Sequence, residues 1–265
     1  FIKNVDQPVS DFYPEFQGYN GKVLTLRHLL TMSAGVDFDE AYSSPFSPTT
    51  KLYYGDDLEK IALGMKETEE PGVNYQSGVT QLLSLIVEKA TGENISSYVS
   101  RKLWTPMNAE EDALWSLDKK EGIEKAYCCF NSNARDFARF GQLILNKGSW
   151  NGRQLVSESY ITEATTPDTS LTFKEYSETN HCYGFQFWHL TYKGMEIPYM
   201  RGILGQYVFA IPELNAVVVR LGHKRSDTRS TQHYPDDIDT WLGAAVEMIQ
   251  ESTENQNKHT KLNNK

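Results

Sequence analysis

The tripeptide Tyr75-Gln76-Ser77 places a phenol and a hydroxyl two positions apart, directly before a segment with helical periodicity. A phenol and a hydroxyl can both donate and accept hydrogen bonds, and a phenol can also release a proton. The turn signal Pro71-Gly72 precedes the tripeptide. A tight loop whose far end is fixed to a buried helix holds such groups in one direction, as catalysis requires. Tyr75 and Ser77 are therefore candidate catalytic residues.

The segment after this loop is predicted to be an amphipathic helix. Its apolar residues recur at i, i+3, i+4, i+7, i+8 and i+11 and form one continuous stripe: Val79, Leu82, Leu83, Ile86, Val87 and Ala90. Gly92 follows the stripe at the position where a helix commonly ends. The stripe predicts that this helix is buried along one face and anchors the Tyr75 loop.

The rest of the N-terminal part is predicted to be mainly helical. Helices are expected to begin near the following residues: Thr25, Asp56, Asn94, Ser132 or Asn133, and Ser157. Residues 36–55 are rich in Ser, Pro, Thr and Tyr and are predicted to form a long loop. That loop is either a binding rim or a solvated surface segment. Residues 105–127 are predicted to be a second, polar loop.

The periodicity changes near Cys182, where aromatic and β-branched runs are broken by turn residues. The runs YGFQFWHL, MEIPYMRG, QYVFAIP and NAVVVRLG predict three or four antiparallel strands, with Asn215 in a hairpin turn. A last helix is expected after Pro235, covering the sheet with these residues: Ile238, Trp241, Leu242, Ala245 and Ile249. Helices followed by a sheet and a closing helix indicate an α+β fold.

Composition excludes several classes of function. The chain has 265 residues, 39% of them hydrophobic, and a net charge of −9. An acidic chain with interspersed charges is a poor partner for nucleic acid. No apolar run approaches the length of a membrane-spanning helix. The sequence lacks zinc-ligand spacings, so neither a metal nor another cofactor is expected.

The cysteines Cys128, Cys129 and Cys182 are odd in number and include an adjacent pair. This arrangement does not resemble a disulfide framework. The three residues are predicted to be small buried hydrophobes.

Four segments together resemble the serine β-lactamase-like superfamily, the group of class C β-lactamases, D-alanyl-D-alanine carboxypeptidases and esterases. They are TLRHLLTMSAGV, PGVNYQSGVTQLLSLIVEKATG, NARDFARFGQLILNKGSWNGRQLVS and RGILGQYVFAIPELNAVVVRLG, within about residues 1–250. The branch that looks most similar contains 6-aminohexanoate-oligomer hydrolases. The resemblance implies a penicillin-recognising fold, in which an antiparallel sheet flanked by helices lies beside a helical subdomain with the active site at their junction.

The resemblance also implies a reaction and roles for named residues. The reaction is acyl transfer through a serine ester, in which the lysine of a Ser-x-x-Lys motif activates the serine. Tyr75 would relay a proton to or from the leaving group, and Ser77 would hydrogen-bond the lysine or the substrate. The strand motif maps onto Arg201-Gly202-Ile203, with the Ile203 amide as an oxyanion donor. Arg201, Gly202 and Gln206 are predicted to contact substrate.

The nucleophile of this family has no good match in the sequence. The Ser-x-x-Lys sequence Ser116-Leu117-Asp118-Lys119 lies in a polar loop and follows the Tyr75 motif, although the family places its nucleophile before that motif. We expect it to be non-catalytic. Phe1 is not a start residue, and we expect the nucleophile upstream of the sequence given. The fold is thus expected to be truncated at its N-terminus, and the 265-residue chain to be inactive on its own.

Each candidate also has a structural alternative. Tyr75 could be a packed loop tyrosine, Ser77 a helix N-cap, and Arg201 with Ile203 an ordinary strand pair. Other residues are predicted to support the fold: Arg27, His28, Asp136, Trp188 and Tyr207.

The predicted organisation is a helical subdomain over 1–165, strands and a closing helix over 166–250, and a polar tail over 251–265. The function expected is that of a serine hydrolase acting on a small amide, ester or peptide. The alternative is a non-catalytic binding or scaffold protein on the same fold. Family resemblance favours a periplasmic or secreted bacterial protein, while the localisation and the oligomeric state stay undetermined.

Overall fold

The computed structural model describes residues 2–68 and 72–263 of the chain. The α-helices in this part of the chain are α1 (Leu26–Leu30), α2 (Pro48–Tyr54), α3 (Leu58–Leu63), α4 (Ser77–Thr91), α5 (Ile95–Val99), α6 (Ala134–Leu145), α7 (Glu158–Thr165) and α8 (Asp237–Asn263). A π-helical turn over Ser100–Trp104 follows α5 directly. Pro71, half of the predicted turn signal, lies outside the described residues.

The strands form one larger antiparallel sheet and three short pairs. They are β1 (Leu114–Trp115), β2 (Phe130–Asn131), β3 (Ser149–Trp150), β4 (Arg153–Gln154), β5 (Thr172–Phe173), β6 (Glu178–Thr179), β7 (Trp188–Tyr192), β8 (Met195–Arg201), β9 (Gln206–Ile211) and β10 (Ala216–Leu221). The larger sheet has the order β10-β9-β8-β7. Separate helices and antiparallel strands confirm the α+β class.

Contacts between residues divide the chain into two compact units. The first unit contains the chain up to Asn133 together with Thr166–Gln186, and the second contains Ala134–Thr165 and the chain from Phe187 onward. The sequence-based division at residues 165 and 166 stays a prediction.

The first unit is organised around α4, as the apolar stripe predicted. Val79, Leu82 and Ile86 are buried on this helix, and α1, α2 and α3 contact it. Gly92 follows the last helical residue with φ +74°, a left-handed conformation that favours glycine at a helix end. Buried residues run from Ser77 to Ile86, so the part of the helix next to the Tyr75 loop gives that loop a fixed base.

The second unit is built on the four-stranded sheet that the sequence predicted. Helix α6 packs on β9 and β10. A β-carbon at Gly141 would lie 2.6 Å from Cγ1 of Val217, so only glycine allows this close approach. Asn215 has φ 45° after the turn Pro212–Leu214, which confirms the predicted connection between β9 and β10.

The closing helix α8 has predicted core residues that are buried and one side chain that was predicted to be buried and is not. Ile238 and Leu242 are buried, as predicted. Trp241 is 45% exposed, and the guanidinium of Arg220 lies 4.7 Å from its ring centroid. The expectation that Trp241 covers the sheet is therefore wrong, since the indole contacts a cation at the surface. The helix also continues to Asn263, into the segment to which the sequence analysis assigned no structure.

The segment 36–55 is partly helical, so the prediction of a continuous loop is wrong. Helix α2 begins with Pro48, and the hydroxyl of Ser47 accepts the amide N–H of Thr50 at 3.2 Å. A serine N-cap followed by proline in the first helical position is a local start signal. The helix ends before Gly55.

The adjacent cysteines form a disulfide, which corrects the sequence prediction for that pair. Cys128 and Cys129 are bonded to each other, and both residues are half-buried. Cys182 is buried and keeps its thiol, as expected for a small buried hydrophobe. A bond between neighbours adds no long-range framework, which is why counting cysteines did not reveal it.

Candidate active site

The two residues directly before Tyr75 are fixed by backbone hydrogen bonds to two other segments of the chain. The amide of Val73 donates to the carbonyl of Thr172 at 2.8 Å, and the amide of Asn74 donates to Met32 at 2.8 Å. The half-buried ring of Tyr75 packs edge-on against buried Tyr183, with 6.1 Å between the ring centroids. The Tyr75 side chain is thus held by packing without being fully enclosed.

Gln76 and Gly78 fix the start of α4. The buried amide group of Gln76 donates to the carbonyls of Val36 and Phe38 at 3.0 and 2.8 Å. A β-carbon at Gly78 would lie 2.5 Å from the ring of Phe38 and 2.8 Å from the sulfur of Met65. Glycine therefore lets the helix start closer to its neighbours than any other residue could.

Ser77 is held by one carboxylate through two hydrogen bonds. Its amide donates to Oε2 of Glu40 at 2.7 Å, and its hydroxyl donates to Oε1 of Glu40 at 2.5 Å. Ser77 is only 3% exposed, so water cannot replace this acceptor. Ser77 is the first residue of α4, and the N-cap position belongs to Gln76. The N-cap alternative for Ser77 therefore does not describe its side chain.

Glu40 collects further hydroxyl donors from the segment after it. The phenol of Tyr42 donates to Oε1 at 2.6 Å, and the hydroxyl of Thr49 donates to Oε2 at 3.3 Å. Hydrogen bonds to a carboxylate are stronger than those between neutral groups. One acidic side chain thus joins the segment 39–49 to the Tyr75 motif. Sequence reasoning did not single out Glu40, because nothing local marks which carboxylate of a polar segment will meet a distant serine.

Tyr127 is a second phenol in this unit that the sequence analysis did not single out. Its hydroxyl is buried and has no hydrogen-bond partner among the described residues. Burial raises the pKa of Tyr127 above its usual value, and the nearby groups Tyr53 and Glu40 raise it further. Tyr127 is therefore protonated throughout the range where a protein is stable, and its hydroxyl is available to donate.

The predicted Arg201-Gly202-Ile203 motif lies in the second unit, where β8 turns into β9. The Gly202 amide donates to the carbonyl of Gln206 at 2.7 Å, which closes the hairpin. Ile203 is 47% exposed at the tip. No described residue accepts a hydrogen bond from the Ile203 amide. A backbone N–H without an acceptor inside the protein is the group that an oxyanion requires.

Arg201 and Gln206 both make contacts inside the second unit. The guanidinium carbon of Arg201 lies 3.3 Å from the ring centroid of buried Trp188. The side chain of Gln206 accepts from the amide of Leu204 at 3.1 Å and donates to the carbonyl of Gly222 at 2.6 Å. The predicted substrate contacts of Arg201, Gly202 and Gln206 stay predictions, and for Gln206 they would compete with these bonds.

The sequence Ser116-Leu117-Asp118-Lys119 occupies a turn. The ammonium of Lys119 donates to the carbonyl of Asp56 at 2.9 Å, and Asp118 accepts the amide of Ile123 at 3.0 Å. Ser116 and Lys119 are both exposed. The family's nucleophile stands at the start of a buried helix, whereas this turn does not lead directly into a helix. This is in line with the expectation that Ser116 is non-catalytic.

Residues predicted to support the fold do so. The amide of Thr25 donates to Nδ1 of His28 at 3.0 Å and closes the first turn of α1. Burial lowers the pKa of His28, and the charge of Arg27 lowers it further. Asp136 is completely buried and pairs with Arg139 at 3.1 Å. Trp188 and Tyr207 are buried on the sheet, as expected.

Among residues 2–68 and 72–263, no group of three or more His, Cys, Asp or Glu side chains could hold a metal ion. In the same part of the chain, no helix combines the length and the apolar character needed to cross a bilayer.

The α+β fold and the Tyr-x-Ser motif at the start of a buried helix are the features expected of a β-lactamase-like protein. The Beta-lactamase family matches residues 3–239. The chain belongs to that family.

The sequence is also similar to the 6-aminohexanoate-dimer hydrolase of Paenarthrobacter ureafaciens. The two are 27% identical over 238 residues, covering 81% of this chain. The chain spans 58% of the length of that relative.

Solved structures have the same fold. A Bacillus anthracis protein thought to be a 6-aminohexanoate-dimer hydrolase superposes with a TM-score of 0.76 at 22% identity, covering 95% of this chain and 67% of that one. The β-lactamase/D-alanine carboxypeptidase of Yersinia pestis, in complex with citrate, superposes with a TM-score of 0.66 at 15% identity, covering 94% and 77%. At these identities the structures support the fold, and they confirm its predicted β-lactamase-like character.

Proposed function

We propose that this chain carries part of the catalytic machinery of a serine hydrolase that cleaves an amide or ester through an acyl-serine intermediate. The observation that carries the proposal is the double hydrogen bond from Ser77 to Glu40, beside a held and partly accessible Tyr75. A rigid hydroxyl next to an accessible phenol is the arrangement that proton transfer to a leaving group requires.

The direction of the Ser77 hydrogen bond assigns a role to its oxygen. A carboxylate only accepts, so Ser77 donates its hydroxyl proton to Glu40. The lone pairs of the Ser77 oxygen are then left to accept. A lysine ammonium or a substrate N–H is a suitable donor. Tyr75 is proposed to pass a proton to or from the leaving group.

We assign the oxyanion role to the Ile203 amide because Ile203 is 47% exposed and its amide has no acceptor among the described residues. The nucleophile is proposed to be the serine of a Ser-x-x-Lys segment upstream of the sequence given. The serine attacks the carbonyl carbon, the lysine takes its proton, and the leaving group departs protonated. Water then hydrolyses the ester and restores the serine.

The experiment uses a longer gene product in which the proposed Ser-x-x-Lys segment precedes these 265 residues. It is incubated with a fluorophosphonate label, p-nitrophenyl esters, nitrocefin and the 6-aminohexanoate dimer, the last because of the similarity to the P. ureafaciens enzyme. We expect a covalent adduct on an upstream serine and turnover of at least one substrate. The 265-residue chain should give neither. No adduct and no turnover from the longer product would remove the proposal.

The Tyr75 role is tested by Tyr75→Phe in the longer product, with Tyr54→Phe as the matched control because Tyr54 is 81% exposed. Loss of a general acid–base group lowers kcat by roughly 10²–10⁴-fold. The control variant should keep its full rate. A Tyr75→Phe variant with parental kcat would reassign Tyr75 to packing.

A second candidate function is a non-catalytic binding protein on this fold. It is favoured by the turn at Ser116-Leu117-Asp118-Lys119, where Ser116 and Lys119 are exposed and the ammonium of Lys119 is hydrogen-bonded to the carbonyl of Asp56. It predicts binding of peptidoglycan fragments without cleavage. An upstream Ser-x-x-Lys in the same reading frame would dispose of it.

A further inference from the structure

The disulfide between Cys128 and Cys129 joins neighbouring residues in the turn that leads into β2. Such a bond closes a small ring that includes the peptide bond between the two residues. A disulfide restricts the unfolded chain more when the loop it closes is longer. A loop between neighbours is the shortest that exists, so this bond contributes little to global stability. Its effect is on the local conformation of the turn.

The backbone of the turn is held by donors on the strands around it. The indole N–H of Trp115 donates to the carbonyls of Cys128 and Lys125, both at 3.0 Å. The carbonyl of Cys129 accepts from the amide of Ser116 at 3.2 Å and from the side chain of Asn131 at 2.9 Å. Cys129 has φ +65°, a left-handed conformation that non-glycine residues seldom adopt. The disulfide and these hydrogen bonds together keep the turn in this conformation.

The segment just before the disulfide is tied to α4, the helix that begins at Ser77. The buried side chain of Gln81 accepts the amide of Ala126 at 3.0 Å and donates to the carbonyl of Glu124 at 3.0 Å. Tyr127 lies between this anchor and the disulfide, with its hydroxyl buried and without a hydrogen-bond partner among the described residues. A change in the conformation of the turn should therefore first alter the surroundings of the Tyr127 side chain.

Both cysteines are half-buried, so part of this turn lies at the protein surface. Cys182, by contrast, is buried and keeps its thiol. A reductant that cleaves the bond between Cys128 and Cys129 therefore has no disulfide to cleave at Cys182.

We propose that Cys128 and Cys129 form a reversible thiol–disulfide exchange site, which takes a small dithiol as co-reactant and whose oxidation state sets the conformation of residues 124–131. A thiolate of the dithiol attacks one protein sulfur and releases the other as a thiolate, which takes a proton. The second thiol of the reductant then displaces the first protein sulfur. The protein gains two electrons and two protons, and the dithiol becomes a cyclic disulfide. This proposal does not depend on the hydrolase activity.

The test uses the 265-residue chain, native and without denaturant, before and after incubation with dithiothreitol. Iodoacetamide labelling with peptide mass mapping counts free thiols, and hydrogen–deuterium exchange reports on the turn. We expect no rapid labelling before reduction, and afterwards two labels, on Cys128 and Cys129. Exchange in peptides covering 124–131 should become about ten-fold faster or more, while peptides from α6 stay unchanged. The cooperative thermal melt should persist.

Two variants make the outcome specific. Cys182→Ser should respond to the reductant like the parent, and the double variant C128S/C129S should show the fast exchange with or without reductant. Three labels on the unreduced, denatured chain would show that the bond is absent. Resistance of the native bond to dithiothreitol, or unchanged exchange over 124–131 after reduction, would each overturn the proposal. Loss of the cooperative thermal melt on reduction would show that the disulfide stabilises the whole fold, and it would also overturn the proposal.

Discussion

Replacement of Glu40 tests whether this carboxylate organises the Tyr75 motif. Glu40 accepts both the amide and the hydroxyl of Ser77, at 2.7 and 2.5 Å, and Ser77 is 3% exposed. In Glu40→Ala both buried donors lose their acceptor. A hydrogen bond to a charged group contributes about 1.5–3 kcal/mol, so loss of the two bonds should lower the free energy of unfolding by about 3–6 kcal/mol.

Glu40→Gln separates the two bonds. The amide oxygen of glutamine can still accept the Ser77 N–H, while its NH₂ group faces the Ser77 hydroxyl. The hydroxyl can rotate and accept, but a charged acceptor has been lost. We therefore expect an intermediate cost of about 1–3 kcal/mol. In the longer gene product the reversed hydroxyl should also lower kcat, because one of the two lone pairs proposed to accept from the lysine or the substrate would then be occupied.

Urea unfolding followed by tryptophan fluorescence gives the free energies, and hydrogen–deuterium exchange reports on the Ser77 amide. Asp39→Asn is the matched control, since Asp39 is the neighbouring, exposed carboxylate and accepts only a local amide, that of Ala41 at 3.0 Å. It should stay within about 0.5 kcal/mol of the parent. If both Glu40 variants also fall within that range and the Ser77 amide exchanges at the parental rate, Glu40 does not organise the motif.

Three further predictions concern the stability of the two units. Burial lowers the pKa of His28 below 6.5, so the unfolded chain binds more protons and the free energy of unfolding should fall as the pH drops below about 6.5. His28→Gln should flatten this part of the pH profile measured by urea unfolding. An unchanged profile would contradict the lowered pKa of His28. Gly141→Ala would place a methyl group 2.6 Å from Val217. The clash should lower the free energy of unfolding by about 1–3 kcal/mol despite the better helix propensity of alanine, as measured by thermal melting. The comparison variant is Gly152→Ala, where the added carbon meets nothing within 4 Å but φ is +78°. Asp136→Asn should cost about 3–5 kcal/mol because it leaves the Arg139 cation without its buried partner; a parental denaturation midpoint would show that the pair contributes nothing net.

Much of the fold could be predicted because its signals are local. The apolar stripe of α4, the glycine after it and the alternation in the four strands each depend on residues within one short window. The same is true of Asn215, whose left-handed backbone follows from the turn it must make. The Tyr75 motif was also found locally, from a phenol and a hydroxyl placed before a helix.

The features that the sequence analysis missed depend on contacts between distant segments or on geometry within a turn. Glu40 is hydrogen-bonded to Ser77, which lies 37 positions further along the chain. No local pattern in either segment predicts this pair. Trp241 lies against Arg220 at the surface, although its position in the helix predicted burial. The adjacent cysteines are bonded to each other in a turn where Cys129 has a left-handed backbone.

The sequence alone therefore determined the family resemblance, the helix α4, the four strands of the larger sheet and the candidates Tyr75, Ser77 and Ile203. Only the tertiary structure decided which acceptor orients Ser77, that the Ile203 amide has no acceptor among the described residues, and that Tyr127 ends in a buried hydroxyl without a described partner. The physical reason is that periodicity is a property of a short window. The partner of a buried polar group is chosen only when loops close and bring remote residues within hydrogen-bond distance.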